Sequence, residues 1–512
     1  MRYGDRVAVI HETEIKTREV TFRRLNTLSD RLALGLINLG VRKGDVVALL
    51  EYNSPEYIVS VYGITKAGAI VTPLNTMVKE DEAEYQLKDS EAKIIVVNRT
   101  LFDVVASIKN RTQLEKVIVT GENVPSETIP LNFLLETEHT LKEREVLNRL
   151  EEIISPKEDL AILQYTAGTT GSPKGVMLTH YNLVVHQIQA TNVMWITESD
   201  ILLNHLPFFH IYGLNTCMAT AINAGVSQVV MPRFSLKEAL ELIERHKVTI
   251  WPTVPMALTT MVNNSDLVRK YDLSSLRFIV SGGSPLPPET IKKVQDTFHL
   301  VVQQGYGLTE ASPGVAHNPP EKIKNESVGI PYPDTECKIV DTETGAVKHQ
   351  PLQIGELIVK GPQVMRGYWK NPRETTETVK DGWLRTGDLA YIDKESYIFL
   401  VDRKKEIIKY KGFTIIPAEL ESLLIQHPAV MDCAVIGKPD QIAGEIPKAF
   451  VVLRPDAKTT TTELADFVNK KIAPYKAIRE IEIVQKIPRS PSGKILRRIL
   501  IEAERKKFHL KR

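Results

Sequence analysis

The segment TAGTTGSPKG at 166–175 puts three threonines, a serine, three glycines and a lysine directly after the apolar run at 160–165. Glycines let backbone N–H groups close on phosphate oxygens, the hydroxyls of Thr166, Thr169 and Thr170 donate further hydrogen bonds, and Lys174 adds positive charge. Such a segment is an anion cradle; a flexible Gly/Thr/Ser connector is the plainer alternative. It is not a Walker A loop, because Pro173 precedes Lys174 and Gly175 follows it.

Further motifs follow in order: LPFFHIYGL (206–214), SGGSPLP (281–287), GYGLTE (305–310), GWLRTGD (382–388), VDRKKEIIKYKGF (401–413) and PRSPSGKILRR (488–498). Together with the glycine-rich segment they resemble the adenylate-forming superfamily, which includes acyl-CoA synthetases, aryl-CoA ligases, luciferases and peptide-synthetase adenylation domains. The resemblance spans nearly the whole chain. SGGSPLPPE, YGLTEASP and GPQVMRGYWKNP are most similar to fatty acyl-CoA ligases of bacteria and archaea, whereas IIKYKGFTIIPAELE is closer to the coumarate-CoA ligase type.

The implied reaction is attack of a carboxylate on the α-phosphorus of ATP with loss of pyrophosphate, followed by transfer of the acyl group to the thiol of coenzyme A. Anions must be brought together, so catalysis is mostly charge neutralisation and alignment. By resemblance, Thr166, Ala167, Gly168, Thr169, Thr170, Gly171 and Lys174 hold the β- and γ-phosphates. Glu310, with Thr166, binds Mg²⁺, a hard cation suited to carboxylate and phosphate oxygens. Thr309 touches the α-phosphate. Tyr306, within Gly305–Gly307, stacks on adenine beside Gly283 and Ser284, Asp388 takes the ribose hydroxyls, and Arg403 and Lys405 contact the nucleotide, with Lys409 a further candidate. Lys494 is the expected catalytic lysine, bridging carboxylate and α-phosphate, and His210 lies beside the acyl carboxylate. Rotation about a hinge at Asp402 exchanges Lys494 for Lys411, Gly412 and Phe413, which border the coenzyme A path.

The expected acyl-pocket segments 208–215, 251–256, 281–285 and 313–316 contain no aspartate or glutamate, which argues against an amino-acid substrate with its ammonium group. His210, Trp251 and the glycines Gly213, Gly283, Gly305 and Gly314 are expected to line a pocket with room for an extended chain; tight turns are the other reading of those glycines. A medium- or long-chain fatty acid leads and an aryl acid runs second. Ala167 stands where serine is common in the phosphate loop, and Thr414 where coumarate-type ligases often carry glutamine. The first implies slower ATP use, and the second lowers the aryl reading.

These residues need a scaffold. A strand at 7–10, a helix from Thr21 with Phe22, Leu25, Leu32, Leu36 and Leu39 at helical spacing up to Gly40, strands at 46–50, 69–73 and 94–97, and helices at 55–66 and 79–87 alternate along the chain. That alternation predicts an α/β fold with doubly wound, largely parallel sheets, which bind ligands at the carboxyl ends of their strands. A strand at 397–401 precedes the charged run 402–406, and a helix at 417–424 with strands at 434–436 and 449–453 opens a new unit. The expected division is a large N-terminal adenylation and acyl-binding domain, 1–401, and a small mobile α+β domain, 402–512, carrying Lys494.

Lysine plus arginine (65) nearly balance aspartate plus glutamate (63), so the net charge of +2 favours small-molecule partners over nucleic acid. Cys217, Cys337 and Cys433 lie far apart, without the spacing of a disulfide framework or zinc site. There is no apolar run of membrane-spanning length and no signal-peptide pattern, so a cytoplasmic location is expected; the basic stretch 489–512 reads as a solvated face, with peripheral membrane contact as the other reading. Relative to the superfamily the chain starts late, which leaves a homodimer open. It ends in Lys511 and Arg512 and not in a peroxisomal signal. A catalytically silent nucleotide sensor would be expected to have lost Glu310, Asp388 or Lys494, and all are present. A ligase loading a carrier-protein pantetheine, or a luciferase-like oxygenase, stays open.

Overall fold

The computed structural model describes residues 3–12, 17–166, 173–404, 406–411, 413–440, 442–489 and 495–509. Two large sheets form the N-terminal part. In the eight-stranded one, Val46–Leu50 lies between Ile70–Pro73 and Ile94–Asn98, all parallel, and the order continues through Lys116–Thr120 to Ile129–Pro130 on one side and Leu160–Thr166, Lys174–Thr179 and Gly367–Tyr368 on the other. The chain therefore reverses its winding direction at Val46–Leu50, as a doubly wound sheet requires. In the nine-stranded sheet, Val302–Gly307, Phe278–Ser281, Ile250–Thr253, Ile201–Asn204, Ser227–Val230 and Val7–Glu12 run parallel, with antiparallel strands at both edges.

Local sequence accounts for the helices between them. Thr21 Oγ1 accepts the Arg24 N–H at 3.2 Å to start Phe22–Asn38, and Ser54 Oγ accepts the Tyr57 N–H at 3.1 Å to start Pro55–Lys66, with proline in its first turn. The two helices pack because Gly63 has no side chain: a Cβ there would lie 2.8 Å from Leu32. One apolar core joins the two sheets, bringing Val47, Leu49 and Val176 together with Val9, Phe208 and Val230. Burial of that apolar area, at roughly 25 cal/mol per Å², is what holds the sheets at a fixed relation.

A third, five-stranded antiparallel sheet holds Trp383–Ile392 between Gly355–Lys360 and Ile398–Arg403. The strand expected at 397–401 thus runs on through Asp402, which pairs with Leu389, and Arg403, which pairs with Asp388. Lys404 is tied back to the same part of the molecule through Glu356 (3.2 Å), whereas Glu406 pairs with Arg497 of the C-terminal unit. Asp402 already reaches the C-terminal side through the Ala418 N–H at 2.9 Å, so ties to both parts of the molecule overlap between Asp402 and Glu406. The C-terminal unit is a five-stranded sheet built on the hairpin Val430–Asp440 and Gly444–Leu453, with its own core of Leu420, Leu424, Val435, Val451 and Leu464. Among the described residues no helix is long and apolar enough to cross a membrane.

Candidate active site

The hairpin Leu160–Thr166 and Lys174–Thr179 pairs Thr166 with Lys174, so the two residues flank the mouth of the glycine-rich loop. Ala167, Gly168, Thr169, Thr170 and Gly171 lie outside the described residues. Lys174 forms an ion pair with Glu374, and its ammonium sits 5.5 Å from the ring centre of Tyr368. The Tyr368 hydroxyl in turn donates to Glu310 Oε1 at 2.8 Å. Glu310 is carried by a short turn, Thr309–Ala311, whose carbonyl at Glu310 accepts the Met365 N–H at 2.8 Å. The order Glu374, Lys174, Tyr368, Glu310 therefore runs continuously along one wall. Sequence reading had missed Glu374 and Tyr368; GYW lies in a quoted motif, but nothing local marks a carboxylate six residues after the tyrosine as the partner of Lys174.

The second wall is built from strand ends. Gly305, Tyr306 and Gly307 close the strand Val302–Gly307, next to Phe278–Ser281, after which the chain turns at Gly283 with φ +83°. Tyr306 donates its hydroxyl to Asp388 Oδ2 at 2.5 Å, and Arg403 Nε lies 3.2 Å from Asp388 Oδ1. Burial, and then Asp388, push the Tyr306 phenol well up, so it stays a neutral donor. Burial works against the Arg403 charge, but the carboxylates of Asp388, Glu406 and Glu310 outweigh it and raise its pKa. Gly307 is required sterically, since a Cβ would stand 2.3 Å from the Pro313 carbonyl oxygen.

The third wall is 206–214. Its backbone is held from the other sheet: Asn53 donates to the Leu206 carbonyl and accepts the Phe208 N–H, both at 2.8 Å, the Tyr57 hydroxyl donates to Phe208 O at 2.8 Å, and Gln164 Nε2 donates to Phe209 O at 3.0 Å. Four bonds in succession deliver His210, whose Nδ1 accepts the Tyr212 N–H at 3.2 Å, which places the ring proton of a neutral imidazole on Nε2. A π-helical stretch, Tyr212–Ala219, follows. The Tyr212 ring lies against Gly282, where a Cβ would be 3.3 Å from it, and Leu206, Cys217, Val254 and Tyr212 form a small apolar group.

The packing gives several residues of the expected acyl-pocket lining a structural reason of their own. A Cβ on Gly213 would stand 2.3 Å from the Pro207 carbonyl oxygen, and one on Gly314 2.5 Å from Tyr332 and 2.7 Å from His186. Glycine at both positions answers protein contacts in the direction a side chain would take. Gly305 is close to His317 (3.2 Å), and only Gly283, whose nearest neighbour is Val254 at 3.9 Å, opens on space among the four. Trp251 is fully buried in the core with Leu203, Val229 and Ile279, since strand alternation turns it toward the helices covering the sheet.

On the C-terminal side, Asp402 Oδ2 accepts the Ala418 N–H at 2.9 Å and Oδ1 the Arg403 N–H at 2.7 Å; burial raises its pKa. Lys411 adopts φ +47° and donates its N–H to Ala443 O at 2.9 Å, and Phe413, 54% exposed, stacks on Tyr475 at 4.8 Å. The Lys409 N–H donates to Glu445 at 2.9 Å, on the C-terminal hairpin. Lys405, Gly412 and Lys494 lie outside the described residues. Arg489 pairs with Asp432 (2.7 Å), and Arg497 pairs with Glu421 (2.6 Å) and with Glu406. No group of three or more histidine, cysteine or acidic side chains suited to a metal occurs among the described residues. A single carboxylate, Glu310, suits Mg²⁺ arriving with phosphate oxygens, which binds through one or two carboxylates and not a protein cage.

Residues 1–369 match the AMP-binding enzyme family, and 419–494 match the AMP-binding enzyme C-terminal domain. The chain belongs to the AMP-binding enzyme family. It is thus an enzyme with the adenylate-forming superfamily fold, as its ordered motifs imply. Among relatives of this family, the long-chain-fatty-acid–CoA ligase of Bacillus subtilis is 36% identical over 100% of this chain and 94% of its own length. The 4-coumarate–CoA ligase 1 of Petroselinum crispum is 38% identical over 98% of this chain and 91% of its own. The structure of the anthranilate CoA ligase AuaEII in complex with anthranoyl-AMP superposes with a TM-score of 0.89 at 30% identity, covering 99% and 96% of the two chains. ATP-bound MatB from Rhodopseudomonas palustris gives 0.87 at 27% identity, covering 97% and 95%.

Proposed function

We propose that this AMP-binding enzyme joins a medium- or long-chain fatty acid to coenzyme A through an acyl-adenylate, at the expense of ATP. The observation that carries the reading is the convergence of Lys174, Glu310, the Tyr306–Asp388–Arg403 set and His210 at neighbouring strand ends. Lys174 and Arg403 bring positive charge to a polyphosphate, Asp388 offers a carboxylate to ribose hydroxyls, and the neutral His210 presents an N–H toward a carboxylate. Glu310 would hold Mg²⁺, which when bound neutralises phosphate charge. Lys494 completes the adenylation step by bridging the two reacting anions, and Lys411, Gly412 and Phe413 receive the thiol arm after rotation near Asp402.

The fatty-acid reading is supported by the lack of acidic residues in the pocket segments, by the apolar group of Leu206, Tyr212, Cys217 and Val254 next to open Gly283, and by likeness to the Bacillus subtilis ligase. Likeness to coumarate ligases, and an aromatic ring at Tyr212, favour an aryl acid as the second reading. Release of AMP and pyrophosphate from Mg-ATP, measured with a panel of alkyl and aryl acids with and without coenzyme A, tests it. Coenzyme A-dependent AMP from acids of eight or more carbons, lost in Lys494→Ala, is the expected result; turnover confined to cinnamate- or benzoate-like acids would replace the fatty acid, and pyrophosphate without thioester would replace coenzyme A.

A further inference from the structure

The carboxylate of Glu374 is paired with Lys174, the lysine of the phosphate loop. The two side chains belong to one rigid unit. The strand Gly367–Tyr368 pairs with Lys174–Thr179, matching Tyr368 with Val176, and the Trp369 N–H donates to Gly175 O at 2.8 Å. The helix Pro372–Thr378 starts directly afterwards, with Asn371 accepting the Glu374 N–H at 3.1 Å and the Tyr368 N–H donating to Thr375 Oγ1 at 2.9 Å. Glu374 is thereby fixed in the first turn of a helix that is itself clamped to the strand carrying Lys174.

The pair is sheltered, the Lys174 side chain being 17% exposed and that of Glu374 32%. On its other side Lys174 faces the Tyr368 ring, whose hydroxyl engages Glu310. The wall that must receive a triphosphate thus carries two carboxylates, Glu374 and Glu310, for the one ammonium of Lys174, and only Glu374 is paired with it directly. A polyphosphate can use Lys174 only by displacing Glu374 or by sharing the ammonium with it.

Resting on the ligase reading above, we propose that Glu374 is a positioning residue: the counter-ion that stores Lys174 against Tyr368, yields it to the incoming triphosphate and takes it back as pyrophosphate leaves. The exchange is one of ion pairs, with no bond made or broken. It predicts that Glu374 weakens the hold on polyphosphate and speeds its departure.

The test is calorimetric binding of inorganic pyrophosphate with Mg²⁺ to the full chain, which needs no knowledge of the acid, alongside the KM for ATP and kcat. Glu374→Gln should bind pyrophosphate about three- to tenfold more tightly and lower the KM for ATP by a similar factor, the scale of one partly sheltered ion pair, while kcat falls because product is retained. The effect should vanish in a Lys174→Met background. Unchanged or weaker binding in Glu374→Gln overturns the proposal, as does equal tightening without Lys174, which would mean a general field effect. If Glu374→Gln does not fold, Glu374→Thr is read in the same way, and failure of both to fold makes Glu374 structural and overturns it too. A wild type that binds no pyrophosphate yet releases it from Mg-ATP overturns the proposal, whereas one that releases none with any acid would remove the ligase reading itself.

Discussion

Tyr306 donates its hydroxyl to Asp388 at 2.5 Å, across the gap between the nine-stranded sheet and the antiparallel one. The carboxylate expected to take ribose hydroxyls is therefore occupied, by Tyr306 on one oxygen and Arg403 on the other. Each oxygen keeps a second lone pair, so a ribose shares the carboxylate with these donors or replaces them, and the affinity gained is smaller than for an unpartnered acceptor.

That difference can be measured. Asp388→Ala removes the acceptor and is expected to raise the KM for ATP by more than about tenfold, the worth of a hydrogen bond to a charged group. Tyr306→Phe keeps the ring and frees one carboxylate oxygen, so its KM should change by less than about threefold while stability drops by about 1–2 kcal/mol. Nucleotide kinetics and urea unfolding of both variants check this pair of expectations; a larger KM effect from Tyr306→Phe than from Asp388→Ala would contradict it.

Asn53→Ala is predicted to act on His210 from a distance. It deletes two of the four hydrogen bonds that fix the backbone from Leu206 to Phe209, costing about 1–3 kcal/mol because the Leu206 carbonyl and Phe208 N–H are left unpaired. The adenylation rate should fall with little change in the KM for ATP, since the nucleotide wall is untouched. Pyrophosphate exchange and denaturant unfolding, run side by side, separate the two effects.

Gly314→Ala should destabilise the protein by about 1–3 kcal/mol through overpacking against Tyr332 and His186. Because the displaced atoms belong to the core, the order of preference among acids of different length should stay as in the wild type. A shifted chain-length optimum would mean that Gly314 faces the acyl chain after all.

Stability is predicted to rise between about pH 4.5 and pH 7 and to level off above, because three buried histidines outweigh one buried glutamate of opposite sign. His186, His205 and His317 are buried and held down, by burial, to about 3, about 3 and about 4. The unfolded chain takes protons there that the native state refuses, so stability present above the ordinary histidine range is lost as pH falls below about 6.5. Burial raises Glu51 to about 7 despite bonds from Thr120, Asn98 and the Tyr52 N–H. Here the native state keeps a proton that the unfolded chain has lost, so its contribution to stability falls as pH rises from about 4.5 to 7, by up to about 3 kcal/mol. Glu51→Gln should steepen the rise in stability between pH 5 and pH 7, because it removes the one group that opposes the histidines, as read from urea midpoints between pH 5 and pH 8.

The sequence by itself determined whatever is carried by neighbours along the chain. Helix starts at Thr21 and Ser54, the strands around Val46–Leu50 and Ile94–Asn98, and the anion-cradle composition at 166–175 depend on residues within a few positions of one another, so local propensity and periodicity were enough. Family membership was legible for the same reason, each motif being contiguous. Only the tertiary structure decided which side chains serve those motifs from afar. Glu374 meets Lys174 across 200 positions, and Asn53 meets Phe208 across 155, with no pattern in the sequence to announce either pair. The same holds for the glycines: Gly213, Gly283 and Gly314 are alike as letters, but a Pro207 carbonyl, open space and the His186–Tyr332 stack give them three different meanings. What a missing side chain makes room for is set by the atoms that fold against it.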